Sequence, residues 1–254
     1  MDESTVEYYF DIKTVQLDMV RDRGYIIPKH EENILDDLNS FINYKNYTSN
    51  SENRKKDEYW KRKGFDSNNL DNEYMEKFKS LDNNNKFDKD NYLPWQLYWN
   101  RDYNKILLIY YINQDKSIGR EFIRYLTNLN QLISKTLFNV EMSNVLISNV
   151  ELSTEAKKDI KLIPKTRFFL DDELKYNALQ HVTNQQHILL TSEEVSELEK
   201  EVKLDKSKFP GIKLDNPVVE YYGWEQGDVI KIIRTERHIN ILGKKNINYR
   251  IVII

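Results

Sequence analysis

Apolar residues at Ile12, Val15, Leu17, Met19 and Val20 recur near helical spacing, so the chain opens with a helix that Gly24 in "DRGY" stops. A second helix is predicted from about His30 to Ile42, with Ile34, Leu35, Leu38 and Phe41 on one face. The periodicity then dissolves. From Asn43 to about Asn91 the sequence is polar, with an unbroken Asn83 to Asn85, yet Tyr59, Trp60, Phe65, Tyr74, Phe78 and Phe87 punctuate it. Disordered low-complexity segments are poor in aromatics, so residues 43–91 read as an insertion that partly packs on its host.

Beyond it, "WQLYW" and "KILLIYYI" flank the turn "NRDYN", which predicts a β-hairpin whose second strand, apolar on both faces, is central in a sheet. Helix, strand, helix and strand follow in "SIGREFIRYLTNLNQLI", "NVLISNV", "STEAKKDIKLI" and "PKTRFFL". Strands alternating with helices imply an α/β layer. The texture changes near Asn177. Thr191 with Glu194 three places on is a capping box, and Val195, Leu198 and Val202 give the helix after it one apolar face, ended at "KFPGI". Asp215 is the expected cap of a short helix with Pro217 in its first turn and Gly223 at its end. Gly227 and Asp228 turn into "VIKIIR", and "NYRIVII" is a last strand with Tyr249, Ile251 and Ile253 on one face and Arg250, Val252 and Ile254 on the other. The expected fold is an α/β N-terminal domain, 1–176, carrying the 43–91 insertion, followed by a small α+β domain, 177–254.

Composition narrows the chemistry. A net charge of −3 with 31% charged residues leaves no bulk positive field to draw the molecule onto nucleic acid or an anionic membrane, so any DNA contact must be local. The absence of cysteine excludes disulfides, thiolate nucleophiles and Cys-based zinc sites, and fits a reducing compartment. An acidic N-terminus without an apolar core, and no run of about 18 apolar residues, argue against export and membrane spanning.

Catalytic signals are sparse. His181 and His187 lie six apart without a flanking acid, a poor metal-ligand spacing that favours structural histidines. His30-Glu31-Glu32 starts like a zincin motif but no second histidine follows, and the seven glycines form no phosphate loop. Glu173-Leu174-Lys175 is an E-x-K pattern that, in restriction-type nucleases, sets a carboxylate and a lysine on one strand face beside a Mg²⁺ ion. Chance occurrence in a Lys/Glu-rich chain is its bland explanation, and "KILLIYYI" offers no partner acid. A cluster of Arg54, Lys55, Lys56, Lys61, Arg62 and Lys63, interleaved with Tyr59 and Trp60, has the residue types to neutralise phosphates and stack on bases, against the alternative of a solvated face diluted by Asp57 and Glu58.

One segment organises the rest. "HILLTSEEVSELEKEVKLDKSKFPGIKLDNPVVEYYGWEQGDVIKIIRTERHI", with the terminal "NYRIVII", resembles the C-terminal assembly domain of the fifth subunit shared by eukaryotic nuclear RNA polymerases, a domain that archaeal RNA polymerases carry without the N-terminal jaw. His181 and His187, "LTSEE", Pro210 with Ile212, Asp215-x-Pro217, Gly223, Gly227, "VIKIIR" and "YRIV" carry the resemblance in order, and "RDRGYII" from Arg21 to Ile27 is similar to the eukaryotic jaw. Asn184 and Gln185 stand where the family usually has Val-Pro, and the loop after Arg234 is longer than usual. The resemblance implies a non-catalytic subunit without cofactor, metal or catalytic residue of its own, docked on the largest polymerase subunit with its jaw beside downstream duplex DNA. It implies partner contacts from Pro217, Gly223, Gly227, Lys231, Arg234, Tyr249 and Arg250, and makes Lys55, Lys56, Lys61, Arg62 and Lys63 the DNA-contact candidates. A free-standing Mg²⁺-dependent nuclease and a DNA-binding module are the alternatives. The Asn, Lys, Ile and Tyr bias suits an AT-rich genome, which fits a large DNA virus, with work in cytoplasmic factories and packaging in the virion, or a protist, with a nuclear site.

Overall fold

The computed structural model describes residues 3–65, 72–83, 87, 93, 95–137, 140–177, 179, 185–234 and 246–254, in two compact units, 1–176 and 177–254. The first unit opens with α1 (Glu3–Asp22), whose Ile12, Leu17, Met19 and Val20 are fully buried. The expected second helix is broken in two. A turn of α2 (Lys29–Glu32) tightens into a 3₁₀ turn over Asn33–Leu35, and α3 (Leu38–Ser49) starts afresh. The break has a local cause: Asp37 is extended at φ −163° and its carboxylate accepts the Ser40 N–H at 2.8 Å, ending one hydrogen-bond ladder and beginning the next. Ile34 and Phe41 are buried on either side of the break, so the apolar spacing is kept although the axis is not.

The stretch after α3 is helical again, in α4 (Ser51–Arg54), α5 (Asp57–Arg62) and α6 (Asn72–Asn83). Its aromatics form core rather than cover. Tyr59, Trp60, Phe65 and Phe78 are buried in one cluster with Trp95, Leu97, Ile106 and Phe122. Backbone links fix this stretch to the strand β1 (Gln96–Trp99): Leu97 N–H donates to Lys63 O at 3.1 Å, and Trp99 Nε1–H to Gly64 O at 2.8 Å. Gly64 sits at φ +95°, and a Cβ there would lie 2.5 Å from Leu97 O, so the crossing requires glycine twice over.

β2 (Lys105–Ile112) pairs antiparallel with β1 as the hairpin predicts, and Asn100 Oδ1 accepts the Asn104 and Lys105 N–H groups in the turn. Through α7 (Arg120–Thr136) the chain returns to β3 (Glu141–Ser148), parallel to β2, and through α8 (Thr154–Asp159) to β4 (Thr166–Leu170), giving the order β1-β2-β3-β4. Ile106, Leu108, Tyr110 and Ile112 face the aromatic cluster, while Tyr111, on the opposite pleat face, meets Tyr9 of α1 edge-on at 5.7 Å.

A buried ion pair links three of these elements. Lys13 Nζ lies 2.9 Å from Glu31 Oε1 with the side chains 1% and 0% exposed, and the Tyr98 hydroxyl donates to Glu31 Oε2 at 2.7 Å while accepting from Lys13 and Gln16. Burial pushes the Glu31 carboxyl up, but the Lys13 ammonium and the Tyr98 hydroxyl outweigh it and hold the group below its ordinary range. Its stabilisation is therefore complete at neutral pH and is lost as pH falls through that lowered value. Lys13→Met is expected to destabilise the first unit by about 3–5 kcal/mol in urea unfolding, because an unpaired carboxylate is left buried, and Lys13→Met/Glu31→Leu to recover most of the loss. Acidification is expected to have opposite effects: relative to the parent, Lys13→Met gains stability towards acid, since burial alone raises Glu31. Equal acid dependence in both proteins would refute the pairing.

Candidate partner-binding surface

In the second unit, β5 (Gln186–Leu189) leads into α9 (Ser192–Val202), where Thr191 accepts the Glu194 N–H and Glu194 accepts the Thr191 N–H, the capping box expected from sequence. The chain then forms β6 (Gly211–Lys213) and α10 (Pro217–Tyr222). Asn216, not Asp215, caps α10, its Oδ1 accepting the Val218 N–H at 3.0 Å. A residue before proline is pushed to the extended region, here φ −71° and ψ 131°, which is the cap conformation, so Pro217 moves the cap to its immediate neighbour. Gly223 ends α10 at φ +70°, and its N–H bonds back to Glu220 O. Next to it the Tyr222 and Trp224 rings stack at 4.5 Å. Gly227 donates to Val252 O, and β7 (Val229–Arg234) pairs antiparallel with β8 (Asn246–Ile253) in a sheet ordered β5-β7-β8-β6.

The two faces of that sheet differ. Ile230, Ile232 and Val252 pack with Val219 and Trp224 in a closed apolar cluster under α10. Register places Lys231 opposite Tyr249 and Val229 opposite Ile251, so the other face carries Ile233, Ile247, Tyr249, Ile251 and Ile253. Ile247 and Ile253 are each 42% exposed. The terminal strand thus alternates as the sequence predicts, and this face is partly covered: Val229 is buried and the Phe209 ring lies 6.4 Å from that of Tyr249, while Ile247 and Ile253 stand exposed.

The residues singled out from sequence occupy distinct places. Pro217 is exposed in the first turn of α10, Gly223 and Gly227 form its two exit turns, and Lys231 and Tyr249 share the isoleucine face. Arg250 lies on the α10 side, where its Nη1–H donates to Gly211 O at 2.8 Å and fastens β8 to the edge strand β6. Arg234 ends β7 opposite Asn246. His187 has Nδ1 2.8 Å from Gln185 O, and burial lowers its pKa, whereas His181 lies outside the described residues.

In the first unit the basic cluster separates. Lys55, Lys56 and Lys61 are exposed, Lys55 paired with Glu52 and Lys56 bonded to Asn53, while Arg62 pairs with Glu58 and lies 4.1 Å over the Tyr47 ring. Lys63 is a correction: it is 3% exposed, with Nζ 3.7 Å from the Trp95 ring centroid and near Tyr59 and Trp60, so it belongs to the core and does not reach a phosphate. The E-x-K pattern is a second correction. Asp171–Leu174 form a 3₁₀ turn, where Glu173 accepts the Leu170 N–H at 2.8 Å, and Lys175 lies over the Tyr8 ring, so the two never share a strand face. Asp171 is buried with Tyr111 donating to it at 3.2 Å, and burial raises its pKa.

A chain with this terminal sheet can be compared directly with known families. Residues 176–252 match the family model of the RNA polymerase Rpb5 C-terminal domain. The chain is 32% identical over 112 residues to the DNA-directed RNA polymerases I, II, and III subunit RPABC1 of Caenorhabditis elegans, across 43% of this chain and 51% of that protein. It is 42% identical over 66 residues to the corresponding rpabc1 of Dictyostelium discoideum, across 26% of this chain and 34% of that protein. With the Arabidopsis thaliana DNA-directed RNA polymerases IV and V subunit 5B the identity is 27% over 109 residues, 42% of this chain and 48% of that protein. The chain spans about half the length of the curated relatives it matches, or less. The family model coincides with the second unit, so the Rpb5-like part is the capped helix, the two glycine turns and the two-faced sheet.

Gly223 is the position where this geometry is most exposed to test. Gly223→Ala is expected to cost about 1–2 kcal/mol, the penalty of a left-handed L-residue, with Gly223→Asn costing less. Hydrogen exchange of the β7 and β8 amides reads the loss, and equal effects of Ala and Asn would count against the conformational explanation.

Proposed function

We propose that this chain is a non-catalytic subunit of a multisubunit DNA-directed RNA polymerase, joined to the assembly through its Rpb5-like second unit. The match of that whole unit to the Rpb5 C-terminal domain carries the reading. Its apolar sheet face supports a docking role, because Ile247, Tyr249, Ile251 and Ile253 form a continuous β-branched and aromatic strip of the kind that a partner chain covers. The partner we infer is the largest polymerase subunit, with Lys231 and Arg234 of the neighbouring strand among its contacts and Pro217, Gly223 and Gly227 shaping the edge of the strip. The first unit serves as a lower jaw near downstream DNA, where Lys55, Lys56, Lys61 and Arg62 make sequence-independent phosphate contacts. In a cellular enzyme the site of work is the nucleus. In a viral one it is the cytoplasmic factory and the virion.

Affinity purification of the tagged chain from its native cells, with mass spectrometry after a high-salt wash, is expected to recover two very large polymerase subunits in stoichiometric amounts. Ile247→Asp/Ile253→Asp is expected to lower that recovery at least tenfold, since each carboxylate would be desolvated in the interface. Recovery of the chain by itself, or undiminished recovery with the double variant, would sink the proposal. Neutralising Lys55, Lys56, Lys61 and Arg62 together is expected to weaken DNA binding by the assembled enzyme alike on all sequences and to flatten its salt dependence by about one unit of slope per contact. An unchanged slope would remove these residues from the DNA path.

A further inference from the structure

Lys231 stands in the middle of the isoleucine face of the second unit. It lies on β7, an interior strand of the sheet, with Val229 and Ile233 before and after it on the same face, Tyr249 opposite it on β8 and Ile188 opposite it on β5. Its neighbours on the face are thus three β-branched side chains and a ring. Lys231 is half-buried and makes no hydrogen bond or ion pair among the described residues. None of the described strand residues on this face is acidic, and a further cation, Lys213, lies exposed on the edge strand β6 opposite Ile253.

The exposed Ile247 and Ile253 lie on β8 to either side of Tyr249, so a chain seated on both isoleucines passes beside Lys231. Such cover takes water from the ammonium, and a desolvated charge without a counter-charge is strongly unfavourable. A neutral acceptor would take its protons and leave the charge uncompensated, whereas a carboxylate supplies both an acceptor and the opposite sign. With cations and no acid on the described strands of the face, the complementary surface is acidic. Given the docking role proposed above, on which this step rests, we infer that the segment of the largest polymerase subunit covering this face carries an Asp or Glu, set between apolar residues, that pairs with Lys231. Lys213, at the exposed edge, belongs to the rim, where charge pairs contribute little.

The tagged full chain and its variants would be purified from native cells and the co-purified subunits quantified by mass spectrometry. Lys231→Met is expected to lower recovery of the largest subunit about tenfold or more, Lys231→Glu about a hundredfold or more, and Lys231→Arg and Lys213→Met to keep it within about threefold. The isolated Lys231→Met chain is expected to keep the amide protection of β7 and β8, since no ion pair within the chain is lost. In the purified parent assembly a water-soluble carbodiimide, which joins a touching ammonium and carboxylate and takes up the water released, is expected to link Lys231 Nζ to an Asp or Glu of the largest subunit, and to form no such link in Lys231→Arg. Parent recovery without large subunits would overturn this inference together with the docking role. Normal parent recovery with undiminished recovery of Lys231→Met or Lys231→Glu, equal losses in Lys213→Met and Lys231→Met, lost protection in the isolated Lys231→Met chain, or no carbodiimide link at Lys231 would overturn the carboxylate alone.

Discussion

The Glu31 carboxylate, removed entirely from water, imposes the condition on which the first unit is arranged. A charge in that position is tolerable only if its oxygens are filled by donors, and Lys13 and Tyr98 fill them from two other elements. The carboxylate thereby fixes α1, α2 and the edge strand β1 relative to one another. From β1 the constraint passes outward, because the backbone at Lys63 and Gly64 is hydrogen-bonded to the same strand and delivers Tyr59, Trp60 and Phe65 to the core. The ion pair contributes positioning more than net stability, since two apolar residues of similar volume would fill the space without the desolvation cost.

The second unit is organised by the opposite condition, an imbalance of apolar cover. A four-stranded sheet has two faces, and α10 with Trp224 closes one of them. Pro217 and Gly223 keep that helix to six residues, too short to reach round to the other face. Arg250, bonded to Gly211 O at 2.8 Å, ties β8 to the edge strand β6. The short helix, the edge clamp and the open face are parts of one arrangement.

Much of this was legible in the chain. The β2 strand announced itself by an unbroken apolar run, and the capping box and the alternation of β8 followed from spacing alone. What escaped depended on partners distant in sequence or on competition between neighbours. Asp36 and Asp37 gave no sign of which would interrupt the second helix, since apolar periodicity continues across them. Lys63 read as one more surface charge in a basic run because its aromatic neighbour Trp95 lies 32 positions on by number, and Glu31 read as a helix-start acid because Lys13 and Tyr98 lie in other elements. Glu173 and Lys175 had the spacing of a strand pair, but the acidic run from Asp171 to Glu173 turns the backbone into a 3₁₀ helix in which Glu173 caps its own start.

The stretch from 43 to 91 shows how composition misleads about dependence. Its polar, Asn-rich texture suggests an accessory laid over a finished domain, yet its buried aromatics supply part of the wall against which Ile106, Leu108 and Tyr110 pack. A strand buried on both faces needs cover on both, and here α1 and α7 alone do not provide it. The exposed charges Lys55, Lys56 and Lys61 lie outside that aromatic cluster, so the packing of the first unit does not depend on burying them. Lys63 marks the boundary: Lys55 and Lys56 before α5 and Lys61 within it are exposed, while the stem and ammonium of Lys63 are drawn in among Tyr59, Trp60 and Trp95.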